Sequence, residues 1–199
     1  MEKFLTLLLL FSNPAFAKTK SSAPHLQQSY KWVDGETEKT VWLDPGYLAE
    51  FGAQEKAASN SAARVFADKQ RIPRRSGGVM LWPMSVKAGG SAAVANLATK
   101  DPEGAYSEVF RDGPRSIGNT KALPGNIIIR FRPEWSESRI ESYAKSQKLE
   151  IIRKLAIGAN VYVLKHRPGL ESLLKANEIR SSGEVLEAMP DWWINVKPL

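Results

Sequence analysis

The chain has 199 residues, 43% of them hydrophobic and 25% charged, so it can bury a core as one domain or as a compact domain with a long extension. It has no cysteine, which excludes a disulfide framework and a lipid-anchored cleavage site. The net charge of +7 raises nucleic acid or an anionic surface as a partner, yet most basic residues are interleaved with acids, as at Glu137, Arg139 and Glu141. One basic stretch is concentrated: Lys69, Arg71, Arg74 and Arg75, around Ile72-Pro73 and before Gly77-Gly78. It reads either as a solvated loop or as a contact for nucleic acid or lipid headgroups.

At the N-terminus, Lys3 precedes an apolar run over residues 4–11, then Asn13-Pro14 and Ala15-Phe16-Ala17. A charged start, a short apolar core and an A-x-A end are the parts of a secretory signal peptide, with cleavage expected after Ala17. The run is far below the roughly 20 residues a membrane span needs, and Pro14 would break such a helix. A secreted or periplasmic protein is therefore expected, monomeric and with no membrane insertion after cleavage.

Residues 18–122 read as an N-terminal extension, partly flexible and containing a hairpin. Residues 18–29 are polar and lack periodicity; His25 is expected to be solvated there. Tyr30-Lys31-Trp32-Val33 and Thr40-Val41-Trp42-Leu43 flank Asp34-Gly35 as the arms of a β-hairpin with a loop longer than two residues. Trp32 and Trp42 are expected to pack rather than to form a ligand platform. Asp44-Pro45 ends the second arm, and residues 46–51 suit one or two helical turns. Residues 54–70 suggest a weakly amphipathic helix, and Val79-Met80-Leu81-Trp82 a short strand stopped by Pro83. The Ala/Gly/Ser-rich residues 87–101 read as linker, and Val109-Phe110-Arg111 as an isolated strand or anchoring segment.

Residues 123–199 carry the clearest pattern: strand, helix, two strands, helix, strand, which is the order of a ferredoxin-like α+β domain, β-α-β-β-α-β. The first strand, residues 126–132, alternates Ile127, Ile129 and Phe131 on one face with Asn126, Ile128, Arg130 and Arg132 on the other. Ser138 and Glu141 have capping-box spacing at the start of the first helix, whose apolar stripe is Ile140, Tyr143 and Ala144. Strands follow at residues 149–155 and 161–165, joined through Gly158-Ala159-Asn160. Leu170, Leu173 and Leu174, with Ala176 and Ile179 beyond, give the second helix its apolar side, and Gly183 stops it. Residues 185–188 form the last strand, and His166 at a strand end reads as exposed.

The runs LPGNIIIRFRPEWSESRI, KLEIIRKLAIGANVYVLKHRPGLESLL and GEVLEAMPDWW together resemble the N-terminal prodomain of secreted subtilisin-like serine proteases, in particular the fervidolysin-type prodomain. The family opens with Pro-Gly before a strand with alternating basic and aromatic residues, here Arg130-Phe131-Arg132-Pro133. It ends in a proline-asparagine step, where this chain has Pro190-Asp191. The resemblance implies an inhibitor or folding chaperone that binds a subtilisin-like protease in trans. It implies a docking sheet face carrying Ile128, Arg130 and Arg132, and a tail of Trp193, Ile194, Asn195, Val196, Lys197, Pro198 and Leu199 lying in the protease cleft as an added strand. Pro198 lacks an amide and would forfeit one hydrogen bond there.

No catalytic residue is expected. His25 and His166 are the two histidines, and neither has the setting of a Ser-His-Asp triad. No cofactor or metal is expected either: there is no H-E-x-x-H spacing and no Gly-rich phosphate loop. The sequence stops where a protease domain would start. An envelope interaction module that kept the prodomain fold and uses Trp32, Trp42, Trp192 and Trp193 for another partner is the alternative, and nucleic-acid binding is not expected.

Overall fold

A computed structural model describes residues 28–52, 60–85, 90–114 and 119–195. The segment expected to be a signal peptide, His25, residues 53–59 at the start of the Ala-rich stretch, and Val196, Lys197, Pro198 and Leu199 lie outside the described residues. In chain order the elements are β1 (Ser29–Asp34), β2 (Thr37–Phe51), a 3-10 turn (Ala62–Val65), β3 (Arg74–Ser76), β4 (Val79–Pro83), α1 (Gly90–Lys100), β5 (Ala105–Arg111) and β6 (Thr120–Ala122). They continue with β7 (Asn126–Arg130), α2 (Glu137–Ser146), β8 (Glu150–Lys154), β9 (Val161–Lys165), α3 (Leu170–Ser181), β10 (Glu187–Pro190) and β11 (Trp193–Asn195). The architecture is α+β, with two antiparallel sheets.

The region expected to be an irregular extension builds most of a seven-stranded sheet, ordered β11-β6-β5-β2-β4-β3, with β1 paired to β2. Asp34 pairs with Thr37, so Gly35-Glu36 is a two-residue turn, shorter than the loop expected. Gly35 takes φ +60°, which glycine adopts without a Cβ penalty. Where helical turns were expected over residues 46–51, β2 continues as strand. An irregularity between Asp44 and Leu48 takes Pro45, which has no amide to donate, out of the ladder. Asp44 Oδ1 accepts the Gly46 N–H at 3.0 Å and holds that bend. Beyond it, Leu48 and Ala49 are fully buried and pair on both sides, with β4 and β5.

The supposed linker contains α1. Ala93 and Leu97, one turn apart, bury against Leu48, Met80, Trp82 and Tyr106. Small residues hide this stripe in the sequence, because the sheet supplies the large apolar partners. The sheet curls until its two edges meet. Ser76 Oγ on β3 bonds Asn195 Oδ1 on β11 at 3.1 Å, and Trp193 Nε1 lies 3.4 Å from where a Cβ on Gly77 would sit. Ala49, Val79, Leu81, Val109 and Ala122 form the core on the concave side, with Tyr47, Phe51 and Trp193 packed onto it.

The second sheet is four-stranded, ordered β10-β7-β9-β8, with every pair antiparallel. Ile127, Ile129 and Phe131 are fully buried on the face that receives both α2 and α3, as the alternation implies. Helix α2 begins near Ser136, as expected, and Ser136 is its cap, its side chain accepting the Arg139 N–H; Ser138, of the capping-box spacing with Glu141, lies inside the helix. The last strand sits two residues later than expected, and Pro190 belongs to it. A proline is tolerated because β10 is a sheet edge with one unpaired side.

Helix α3 is shared by the two sheets. Ala176 and Ile179 join the core of the second sheet, while Leu173 joins Trp32, Val41, Phe110 and Leu123. Leu174, expected to be buried with them, is 51% exposed. With Gly169 at its N-cap, α3 has no side-chain cap of its own; instead Glu108 Oε2, from β5, accepts the Leu170 N–H at 2.9 Å.

Candidate docking face and C-terminal strand

On the side of the second sheet away from its helices, the register places Met189 beside Ile128, Ile128 beside Val163, and Val163 beside Arg153. A second row runs Glu187, Arg130, Val161. Of these, Ile128 and Met189 are half-buried, Arg130 is exposed, and Val163 is only 3% exposed between its neighbours. The irregularity between Ile151 and Arg153 turns Ile152 outward, 47% exposed, and the β8–β9 connection carries Ile157, 72% exposed. Among the described residues, the main helix contacts of this sheet, from α2 to β8 and from α3 to β7 and β10, belong to the core on the opposite side. The outward face is thus an apolar row with charged flanks. The Arg130–Glu187 pair, 3.5 Å apart, ties one flank weakly, as partly exposed ion pairs do.

Two of the three expected docking residues, Ile128 and Arg130, lie on this face; Arg132 does not. The strand ends at Arg130; one more bond, from the Phe131 N–H to the carbonyl of Asn160, carries its register on before the chain turns away at Pro133. Arg132 instead donates to the carbonyls of Gly183 (2.9 Å) and Glu184 (3.1 Å) just past α3. Asn160, at φ +53°, holds the same corner by donating to the carbonyls of Arg132 (3.1 Å) and Trp135 (3.0 Å).

The expected tail is divided. Trp193, Ile194 and Asn195 are β11, paired in register with Ala122, Lys121 and Thr120 of β6. Trp193 faces the concave core, Asn195 takes part in the seam to β3, and Ile194 is 44% exposed on the other side. One edge of this strand is therefore used within the chain. Nothing local in the Trp193–Asn195 run signals this pairing, because β6, its partner, precedes it by some seventy residues.

The tryptophans offered to the alternative partner are mostly enclosed. Trp32 is 6% exposed and packs on Trp192 with ring centroids 5.4 Å apart. Lys121 lies over both rings, and its ammonium pairs with Asp112. Trp193 does line an open groove of about 520 Å³ with Phe51, Gly77 and Asp191.

His166 differs from the exposed side chain expected. Its Nδ1 is buried without a hydrogen-bond partner, and burial lowers its pKa below the ordinary histidine value. Glu171 pulls the other way, more weakly. Gly125, at φ +104°, explains why the chain is so close here: a Cβ would fall 2.7 Å from the carbonyl of His166. Among the described residues, no group of three His, Cys, Asp or Glu side chains is placed to hold a metal ion, and no helix is long and apolar enough to cross a membrane.

The buried carboxylates are structural. Glu50 accepts from Ser61 Oγ and Trp82 Nε1, both at 2.7 Å, and Asp44 pairs with Arg111 at 2.9 Å. A cleft of about 660 Å³ between α1 and α3 is lined by Val94, Ala98, Leu170 and Leu174, with the α3-capping Glu108 among its polar groups. Comparison with protein-family models, with curated proteins and with solved structures finds no match.

Proposed function

We propose that this chain is an exported, non-catalytic binding protein whose ferredoxin-like C-terminal unit docks a subtilisin-like serine protease in trans, restraining it or assisting its folding. The observation that carries the reading is the outward face of the second sheet, where Met189, Ile128 and Val163 lie side by side, Ile152 is exposed next to the row, and, among the described residues, neither helix packs. The strand order β10-β7-β9-β8, with both helices on the opposite face, supports the ferredoxin-like description and the resemblance to the prodomain family. An apolar row with charged flanks suits an interface core and rim. Docking through the face takes precedence over the tail, since Trp193–Asn195 already gives one edge to β6 and sets Asn195 against β3 along the other.

The test is inhibition of a subtilisin-like protease from the same cell by residues 18–199, compared with Ile152→Asp and Ile128→Asp and with a chain lacking residues 196–199. A carboxylate buried unpaired in the interface is expected to weaken inhibition by about a hundredfold, while the truncation changes it little. Ile152 is exposed enough for its variant to fold. Absence of binding to any such protease, or full potency in both Asp variants, overturns the proposal. The pairing of β11 favours one other reading, an envelope interaction module without cleft blocking; it predicts a non-protease partner whose binding the same Asp variants abolish.

A further inference from the structure

The basic stretch noted in the sequence becomes a defined feature in the fold. Residues 61–76 leave β2 and return to β4 as one excursion, pinned at several points. Ser61 Oγ donates to the buried Glu50, Phe66 packs on the core under α1, Ala67 bridges to Met84, and the Asp68 N–H donates to the carbonyl of Pro83 at 2.8 Å. The Arg71 guanidinium lies 4.7 Å from the centre of the Tyr47 ring. A segment so anchored has had the chance to bury its large aliphatic side chains. Yet Val65 is 77% exposed and Ile72 is 84% exposed, more than the other large hydrophobics of the described residues.

The same segment carries Lys69, Arg71, Arg74 and Arg75 close to Ile72 in sequence, against one acid, Asp68, whose carboxylate accepts the Gln70 N–H. The nearest carboxylates on the packed strand are already engaged: Glu50 by Ser61 and Trp82, Asp44 by Arg111. Among the described residues, no ion pair engages Lys69, Arg74 or Arg75.

We propose that this excursion is a peripheral docking surface for an anionic phospholipid bilayer. Basic side chains meet the headgroups, and Ile72 and Val65 enter the acyl boundary. Aliphatic tips on a basic loop combine the two forces that hold a protein on a membrane surface: burial of apolar area and attraction to anionic lipid. Nucleic acid would reward the charge but not the exposed isoleucine, and it would favour aromatic side chains for stacking. The aromatics here are occupied, Phe66 in the core beneath Lys100 and Tyr47 beneath Arg71. The contact leaves the second sheet free, so it stands independently of the protease reading.

The experiment is co-sedimentation of residues 18–199 with vesicles of phosphatidylcholine alone and of phosphatidylcholine mixed with phosphatidylglycerol, at low and high salt, beside a duplex-DNA binding assay. Binding is expected only to the vesicles containing phosphatidylglycerol and is weakened by salt. Arg74→Gln and Arg75→Gln should each reduce it about fivefold, and Ile72→Ser about tenfold at unchanged charge. All three residues are exposed, so unchanged thermal melting will show that the variants fold. No binding to the anionic vesicles overturns the proposal. So does full retention of binding by Ile72→Ser, or DNA affinity that exceeds vesicle affinity and ignores that substitution.

Discussion

The imidazole of His166 sits where β9 gives way to α3, with its Nδ1 out of reach of water and of any partner. Burial favours the neutral ring, so its folded pKa is lowered from the ordinary value of about 6.5. The unfolded chain therefore takes up its proton first as pH falls. The stability that His166 contributes is complete above about pH 6.5 and is lost as pH drops through the lower, folded pKa. Melting temperature is expected to decline between pH 7 and 5, and His166→Asn is expected to flatten that part of the profile. An unchanged slope in the variant would remove His166 as the cause. The sequence made His166 visible as a strand-end residue between Lys165 and Arg167 but hid the burial of its Nδ1, which depends on the tertiary packing at this junction.

At the scale of the element, the outcome depended on whether a segment carries its own signal. Ile127, Ile129 and Phe131 alternate, and Ile140, Tyr143 and Ala144 recur with helical spacing; all are buried as their periods require. The short strands β3, β6 and β11 have three residues each, too few for a period to show. Helix α1 has mostly small residues, and β2 crosses a proline through an irregularity that no local rule announces. Two of the three expected docking-face residues were placed on that face for the same reason. Ile128 and Arg130 follow from alternation, whereas Arg132 was lost to a corner held by Asn160. The strand β11 illustrates the cost of missing a partner. Trp193→Ala should destabilise the protein by about 2 kcal/mol, since it empties part of the concave core. The exposed Ile194→Ala should cost about 0.5 kcal/mol or less. Urea denaturation of the two variants checks the contrast; equal effects would mean that β11 contributes little to the fold.

For the molecule as a whole, α3 joins the two sheets. Leu173 packs against the first, Ala176 and Ile179 against the second, and Glu108 of β5 caps the helix across the junction. Removing that cap leaves an amide unsatisfied at the helix start, and Glu108→Ala is expected to cost about 2 kcal/mol. Because the helix belongs to both cores, unfolding followed by tryptophan fluorescence and by far-ultraviolet circular dichroism should still coincide in one transition. Two separated transitions would show the halves to be independent. The sequence by itself determined the order of elements from β7 to β10, since each of them carries its period and its stops within a few residues. Only the tertiary structure decided that the described part of residues 28–122 supplies six strands of one sheet and that α3 has two buried sides. It alone placed Trp193, Ile194 and Asn195 in their own chain's sheet rather than in a free tail. Those features rest on pairings between segments far apart in sequence, whose stabilisation appears only when the partner is in place and leaves no pattern in either segment alone.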